Sequence, residues 1–132
     1  MWNRVNSATP TVLVVEGDWI VREQAVLAFL GAGFIVLEAE CADEAFALLR
    51  GSPPVDAIFT DIRLRGAGTG WDVAKTCRAT KPDMPIIYTS GRSIDPLRMV
   101  GGSLFFVKPY VVDEIVSACR ALIGLGQPSF GA

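Results

Sequence analysis

The sequence contains no histidine, and its cysteines are few and scattered. Without histidine the chain cannot build a catalytic triad that depends on an imidazole. Cys41, Cys77 and Cys119 are odd in number and form no CxxC pair, so we expect neither a structural zinc site nor a disulfide framework. The sequence therefore predicts three reduced thiols.

Long apolar runs and an excess of basic residues are also missing. No apolar run approaches the roughly 20 residues that a membrane helix needs, and residues 1–4 do not lead into a signal-peptide core. The formal net charge is −2, and Lys and Arg form no cluster, which disfavours binding to nucleic acid. We therefore expect a cytoplasmic protein that binds neither membranes nor nucleic acid.

The composition is that of one globular domain. The chain has 132 residues, of which 51% are hydrophobic and 20% charged, and this length suits a single core. Residues 1–10 and 124–132 lack periodicity and contain proline or glycine, so we expect a flexible N-terminal arm and a flexible C-terminal tail. The predicted folded domain spans residues 11–123.

Short apolar runs alternate with segments of helical periodicity along this domain. The runs are rich in Val, Ile and Phe and do not alternate with polar residues, which is typical of strands buried on both faces of a parallel sheet. We predict five strands: Thr11–Val15, Phe34–Leu37, Val55–Thr60, Pro85–Ser90 and Leu104–Val107. Between and after them, apolar residues recur at helical spacing, as at Val21, Ala25, Ala28 and Ala32.

This pattern predicts an α/β fold: a flavodoxin-like (βα)5 chain with a doubly wound, five-stranded parallel sheet in the order 2-1-3-4-5. A Rossmann fold is the competing arrangement, but the turn after the first strand lacks a GxGxxG motif, and no Walker A motif is present. The fourth helix is the weakest element. Pro96 fits only a first turn and Gly101 closes the segment, so too few residues remain for an independently stable helix.

Polar residues stand at the carboxyl ends of the predicted strands, where ligands bind in such a fold. Glu16 follows the first strand, Asp61 the third, Ser90 the fourth and Lys108 the fifth, with Asp18 close to Glu16. Two neighbouring carboxylates require a cation or a raised pKa, and their oxygens suit Mg²⁺. A hydroxyl and an ammonium suit phosphate oxygens, so the set describes phosphoryl transfer to a carboxylate.

Four stretches of the chain, in this order and at these strand ends, resemble the signature stretches of bacterial response-regulator receiver domains. They are Val12-Leu-Val-Val-Glu-Gly-Asp18, Phe59-Thr-Asp-Ile-Arg-Leu64, Tyr88-Thr-Ser-Gly91 and Phe105-Phe-Val-Lys-Pro109. The resemblance covers about residues 11–123 and implies a single-domain receiver of two-component signalling, which is a phosphoprotein and not an enzyme. Because the chain has no histidine, the phosphoryl donor must come from outside the chain.

The resemblance also implies a role for individual residues. Asp61 would be the phosphoacceptor, Ser90 the switch hydroxyl, Lys108 the phosphate-sensing ammonium and Phe105 the aromatic ring that moves with the switch. Lys108-Pro109 would be a cis peptide. The Mg²⁺ ligands would be Glu16, Asp61 and the backbone carbonyl of Arg63, with Asp18 as a further candidate.

The sequence departs from the family pattern at three places. Gly17 stands where the family has a second acid that binds Mg²⁺ directly, so we expect weak metal binding. The loop from Leu64 to Gly70 is one residue longer than the common receiver loop and carries Arg65 where a proline is frequent. The segment after Ser90 is several residues short.

Two functions follow from this reading. The first is a phosphoacceptor module that receives its phosphoryl group on Asp61 from a histidine kinase or a phosphotransfer protein and signals by conformational change to a downstream protein, as a monomer or weak homodimer. The second is a pseudo-receiver that keeps the fold as a protein-binding scaffold because Gly17 has spoiled the metal site. A flavodoxin-like electron carrier is disfavoured, since no phosphate-cradling loop follows the first strand.

Overall fold

A computed structural model of the chain describes residues 9–51 and 53–125. Its five strands are all parallel and lie in the order β2-β1-β3-β4-β5, which confirms the predicted topology. Residues 1–8 of the predicted arm and 126–132 of the predicted tail lie outside the described residues. The strands are β1 Thr11–Val15, β2 Ile35–Ala39, β3 Ala57–Asp61, β4 Ile86–Ser90 and β5 Leu104–Val107.

Four α-helices cover the two faces of the sheet. They are α1 Trp19–Gly31, α2 Ala42–Leu49, α3 Gly70–Thr80 and α4 Val112–Leu122. One core contains Leu13, Ile58 and Tyr88 with the inner faces of α2 and α3. The other core contains Val12 and Phe59 with α1 and α4. No helix among residues 9–51 and 53–125 is long and apolar enough to cross a membrane.

The central strands are buried and the edge strands are not. Every residue of β1, β3 and β4 is buried, whereas β2 and β5 are largely half-buried or exposed. The prediction that all five strands are buried on both faces is therefore correct for the central three only. The two outer strands have a neighbour on one side only, so one of their edges reaches solvent.

Between β4 and β5 the described chain forms no α-helix. Only a single 3₁₀ turn, Pro96–Arg98, interrupts residues 91–103, so the predicted (βα)5 pattern has four α-helices here. The proline begins that turn at its first position, where its missing N–H costs nothing. The segment is held by the N–H of Val100, which donates to the Tyr88 hydroxyl at 3.2 Å, and by Arg78, which donates to the Gly101 carbonyl at 2.8 Å.

The start of α3 fixes the chain beside the end of β3. Thr69 and Asp72 form a capping box, in which each side chain accepts a backbone N–H of the other residue. The N–H of Gly70 donates to the carbonyl of Ile62 at 2.9 Å. A Cβ atom at Gly70 would collide with the backbone carbonyl of Asp61, so only glycine allows this close approach.

Candidate phosphoryl-transfer site

Four polar residues meet at the carboxyl edge of the sheet. Glu16 follows β1, Asp61 ends β3, Ser90 ends β4 and Lys108 follows β5. Because parallel strands end at one edge, residues far apart in the chain become neighbours there. Glu16, Asp61 and Ser90 are buried, and Lys108 is half-buried. The structure therefore brings together the acids, hydroxyl and ammonium that the sequence predicts.

The ammonium of Lys108 lies between the two carboxylates. Its Nζ donates to Glu16 Oε1 at 2.7 Å and to Asp61 Oδ2 at 3.1 Å. The second oxygens of both acids accept backbone N–H groups: Glu16 Oε2 from Asp18 at 3.0 Å, and Asp61 Oδ1 from Arg63 at 3.3 Å. Each of the four carboxylate oxygens thus has a donor in this state.

Burial and pairing act in opposite directions on these charges. Loss of hydration raises the pKa of Glu16, and the hydrogen bonds from Lys108 and Asp18 only partly offset that rise. Burial lowers the pKa of Lys108, but hydrogen bonds to Glu16 and Asp61 outweigh it, so the pKa ends above its ordinary value. Burial also raises the pKa of nearby Tyr110 to about 12, and the negative charge of Glu16 adds to that rise. Lys108 is accordingly the fixed positive charge of the site.

Ser90 ends β4, the strand beside that of Asp61, and Phe105 lies on β5, one strand further on. Ser90 Oγ accepts the N–H of Arg92 at 3.2 Å, and the Ser90 carbonyl accepts the N–H of Lys108 at 2.8 Å. Phe105 is half-buried on β5 and packs against the core on the side of α2 and α3. The Lys108-Pro109 peptide is cis, as the family resemblance implies.

Asp18 serves a structural purpose in this state. Its Oδ1 accepts the N–H groups of Ile20 at 3.0 Å and Val21 at 3.3 Å, which caps the N-terminus of α1. The side chain is exposed, and only its backbone N–H contacts Glu16. The sequence already carried this signal, because an Asp directly before a helical stripe is a typical N-cap.

Arg22 is a residue of the site that sequence reasoning missed. Its Nη1 donates to the Glu16 carbonyl at 2.7 Å, and its Nε pairs with Glu38 at 3.1 Å. The guanidinium side chain is only 14% exposed, so it holds the end of β1 firmly. No short motif marks this contact, since it joins a helix residue to a backbone oxygen six positions earlier.

The residues that could hold Mg²⁺ are few. No group of three or more Asp, Glu, Cys or His suited to a metal occurs among the residues that the structure describes. Glu16 and Asp61 supply two carboxylates. The N–H of Arg63 donates to Asp61 Oδ1, so the backbone of Arg63 lies next to the Asp61 carboxylate. Mg²⁺ commonly keeps several waters and uses one or two carboxylates, so this donor set fits a hydrated, weakly held ion.

Gly17 leaves room for the acid that it lacks. A Cβ atom built there meets the Glu40 carbonyl at 3.5 Å, an ordinary contact, and its backbone needs no positive φ. Steric hindrance therefore does not explain why position 17 lacks a carboxylate.

Comparison with known proteins assigns the chain to a family. The model of the response regulator receiver domain matches residues 12–120, which is most of the chain. The chain belongs to the receiver domain family of two-component signalling. Receiver domains are signalling modules that interact with histidine kinases or phosphotransfer proteins.

The curated relatives that match are longer than this chain. Response regulator MprA of Mycolicibacterium vanbaalenii is 29% identical over 125 residues, which cover 92% of this chain and 53% of that protein. The probable transcriptional regulatory protein TcrX of Mycobacterium tuberculosis is 27% identical over 124 residues, covering 91% of this chain and 52% of the relative. The chain spans about half the length of these relatives.

Solved structures agree on the fold. A response regulator receiver protein from Sinorhizobium medicae superimposes with a TM-score of 0.84 at 27% identity, covering 89% of this chain and 96% of that one. The non-phosphorylated HemR receiver domain of Leptospira biflexa gives a TM-score of 0.77 at 25% identity, covering 92% of this chain and all of that one (100%).

Proposed function

We infer that this receiver domain accepts a phosphoryl group on Asp61 from a histidine kinase or a phosphotransfer protein. The observation that carries the proposal is the position of Lys108 Nζ, 2.7 Å from Glu16 and 3.1 Å from Asp61 at the carboxyl edge of the sheet. An ammonium held there is in place to pair with the oxygens of an incoming phosphoryl group.

In the transfer, an oxygen of the Asp61 carboxylate forms a bond to phosphorus. The bond from phosphorus to the donor nitrogen or oxygen breaks at the same time, and the leaving group keeps the electron pair. Lys108 stays charged throughout and exchanges part of its pairing with Asp61 for pairing with phosphoryl oxygens. Glu16 holds the other side of that ammonium, so Lys108 remains oriented when Asp61 is modified.

A divalent cation would be held by Glu16, Asp61 and the carbonyl of Arg63, and it would neutralise charge on the phosphoryl oxygens. Because Gly17 adds no carboxylate, we expect that ion to bind weakly. Asp18, in the turn after β1, is a further candidate ligand. If its Oδ1 bound the ion, however, that oxygen could no longer cap the N-terminus of α1.

The signal would leave the site through Ser90. Once Asp61 carries a phosphoryl group, the Ser90 hydroxyl donates to one of its oxygens and the chain after β4 shifts with it. Residues 91–103 are suited to such a shift because they contain one 3₁₀ turn and no α-helix. Phe105 then repacks beside them, and a downstream protein reads the altered surface.

The decisive experiment incubates the protein with Mg²⁺ and a small phosphodonor and follows its mass. Wild type should gain one phosphoryl group, and Asp61→Asn should gain none while keeping its circular dichroism spectrum. Asp83→Asn is the matched control, because Asp83 is an exposed Asp before β4, at the opposite edge of the sheet. An Asp61→Asn protein that still gained a phosphoryl group would refute the assignment.

A protein-binding scaffold that no longer uses phosphorylation is the second candidate. Two observations favour this candidate. Gly17 supplies no metal ligand, and both carboxylate oxygens of Glu16 and of Asp61 already accept hydrogen bonds from protein donors. In that case wild type and Asp61→Asn would show the same unchanged mass with any donor and would bind the same partner equally well.

A further inference from the structure

Arg65 lies beside the position where the site lacks an acid. After β3 the chain crosses the carboxyl edge of the sheet, and the backbone of Arg65 pairs with Cys41 just beyond β2. From there its Nη2 approaches the carbonyl of Gly17 at 3.4 Å and Glu40 Oε1 at 3.6 Å. A guanidinium therefore stands directly next to Gly17.

The backbone of Arg65 is fixed, but its side chain is only loosely held. The Arg65 and Glu40 side chains are 74% and 50% exposed, and exposed pairs of this kind contribute about 0–1 kcal/mol. Arg22 and Lys108, by contrast, are committed to short hydrogen bonds within the site. Arg65 can thus turn toward a new anion at little cost.

We propose that Arg65 binds the phosphoryl group at Asp61 and supplies much of the positive charge that a divalent cation would otherwise provide. Asp61 can then be phosphorylated without bound metal. The proposal rests on the function proposed above for Asp61. It adds a phosphoryl-binding residue to that site and predicts how the site depends on metal.

Reach and geometry permit this contact. Gly17 follows β1 closely, and β1 pairs directly with β3, whose last residue is Asp61. Neighbouring strands are about 4.8 Å apart, and the guanidinium lies a further 3.4 Å from the Gly17 carbonyl, so it stands roughly 8 Å from the end of β3. The exposed side chain of Arg65 must therefore turn from Glu40 toward Asp61 to make the contact. The planar fork of arginine matches two phosphoryl oxygens, which suits it to this task better than a single ammonium.

Formal charges favour the same conclusion. Among the groups that would contact the phosphoryl oxygens or Lys108, a phosphoryl group of about −2 together with Glu16 makes three negative charges, and Lys108 and Arg65, once Arg65 has turned away from Glu40, supply two positive ones. One net negative charge remains. If an acid replaced Gly17 and a divalent cation were bound, four negative charges would face three positive ones before Arg65 is counted. With Gly17 and Arg65 the site therefore has a net charge of −1 without metal. A site with an added acid at position 17 would have the same net charge only when a divalent cation is bound.

The first test measures phosphorylation by acetyl phosphate, in Mg²⁺ and in excess chelator, by mass. In the reaction Asp61 gains the phosphoryl group and acetate leaves with the electron pair. Wild type should react in chelator at a measurable rate. Arg65→Gln should lower that rate about tenfold, and Arg65→Lys should restore part of it. Arg50→Gln is the control, because this exposed arginine follows α2 at the other end of the helix.

The second test reads Mg²⁺ binding alone, through tryptophan fluorescence, since two of the three tryptophans, Trp19 and Trp71, lie at the starts of α1 and α3. One positive charge about 8 Å from a divalent ion in water repels it enough, at low salt, that removing Arg65 should tighten Mg²⁺ binding about fivefold. Arg50→Gln should leave the affinity unchanged. Gly17→Asp should tighten Mg²⁺ further and make phosphorylation depend on it.

The outcomes separate the two proposals. If wild type gains a phosphoryl group only with Mg²⁺, or if Arg65→Gln reacts in chelator as fast as wild type, the role of Arg65 is refuted and Asp61 remains the acceptor. If wild type gains no phosphoryl group under either condition, both proposals fall. Unchanged Mg²⁺ affinity in Arg65→Gln would also count against the inference.

Discussion

Replacing Lys108 by methionine tests the charge arrangement of the site through stability. The side chain packs beside Glu16 and Asp61, which are 6% and 10% exposed, while Lys108 itself is 24% exposed. Breaking a fully buried pair costs about 3–5 kcal/mol and breaking a surface pair about 0–1 kcal/mol. The partial exposure of the ammonium places Lys108→Met between them, at about 2–3 kcal/mol of lost stability near neutral pH.

The pH dependence of this loss follows from Glu16. Its pKa is raised above 4.5 in the folded protein, mainly by burial, so the folded state holds the proton more tightly than the unfolded state. The related stability is present below 4.5 and is lost as the pH rises through the raised pKa. Without the Lys108 ammonium that pKa rises further, because a hydrogen bond and a favourable charge disappear. The cost of Lys108→Met should therefore be small near pH 4 and grow toward pH 7.

Urea denaturation followed by circular dichroism at a series of pH values measures this cost. Lys75→Met is the matched control, because Lys75 is exposed on α3 and should lose little stability at any pH. An equal loss for Lys108→Met at acid and neutral pH would mean that lost packing of the methylene chain, and not the unpaired Glu16, sets the cost. No loss at all would refute the pairing itself.

The remaining predictions concern the backbone around the site. Gly70→Ala should lose about 1–3 kcal/mol or more in urea denaturation, because the new Cβ would lie 2.9 Å from the Cα of Ile62 and collide with the Asp61 carbonyl. Gly91→Ala is its control and should be near neutral, since nothing lies within 4 Å of the added Cβ; equal losses in the two variants would refute the argument. Tyr88→Phe should lose about 1 kcal/mol and speed amide exchange at Val100, whose N–H loses its acceptor. Unchanged exchange there would mean that other contacts hold the segment.

The sequence was sufficient to bring the polar residues of the site together. Glu16, Asp61 and Ser90 each follow a short apolar run, and parallel strands place all such ends at one edge of the sheet. Nothing more than the strand order was needed to make Glu16 and Asp61 neighbours. The direction in which each oxygen points depends on the turns, and this is where sequence reasoning ended.

Asp18 and Arg22 illustrate that limit. Proximity in sequence made Asp18 a candidate metal ligand, but in this state its side chain caps α1 because the helix N-terminus offers free N–H groups at 3.0 and 3.3 Å. Arg22 lies one helical turn further on and reaches back to the end of β1. Both outcomes depend on where α1 starts to within one residue, which periodicity alone does not resolve.

The segment between β4 and β5 is the part of the domain where we expect a signal from Asp61 to leave the site. Its length, proline and glycines predicted a weak helix, and the structure has a single 3₁₀ turn there. The residues after the turn are hydrogen-bonded by Tyr88, at Val100, and by Arg78, at Gly101. Ile94, Met99 and Val100 also pack against the core on the side of α2 and α3, and the Arg98 guanidinium lies over the Trp71 ring, so a shift of the segment would have to rearrange these contacts as well. Ser90 joins it directly to the strand beside Asp61, through the bond from the N–H of Arg92. We expect a Ser90 hydroxyl that turns toward a phosphoryl group on Asp61 to lengthen this bond and shift the start of the segment, whereas the backbone of β4 up to Ser90 keeps its place.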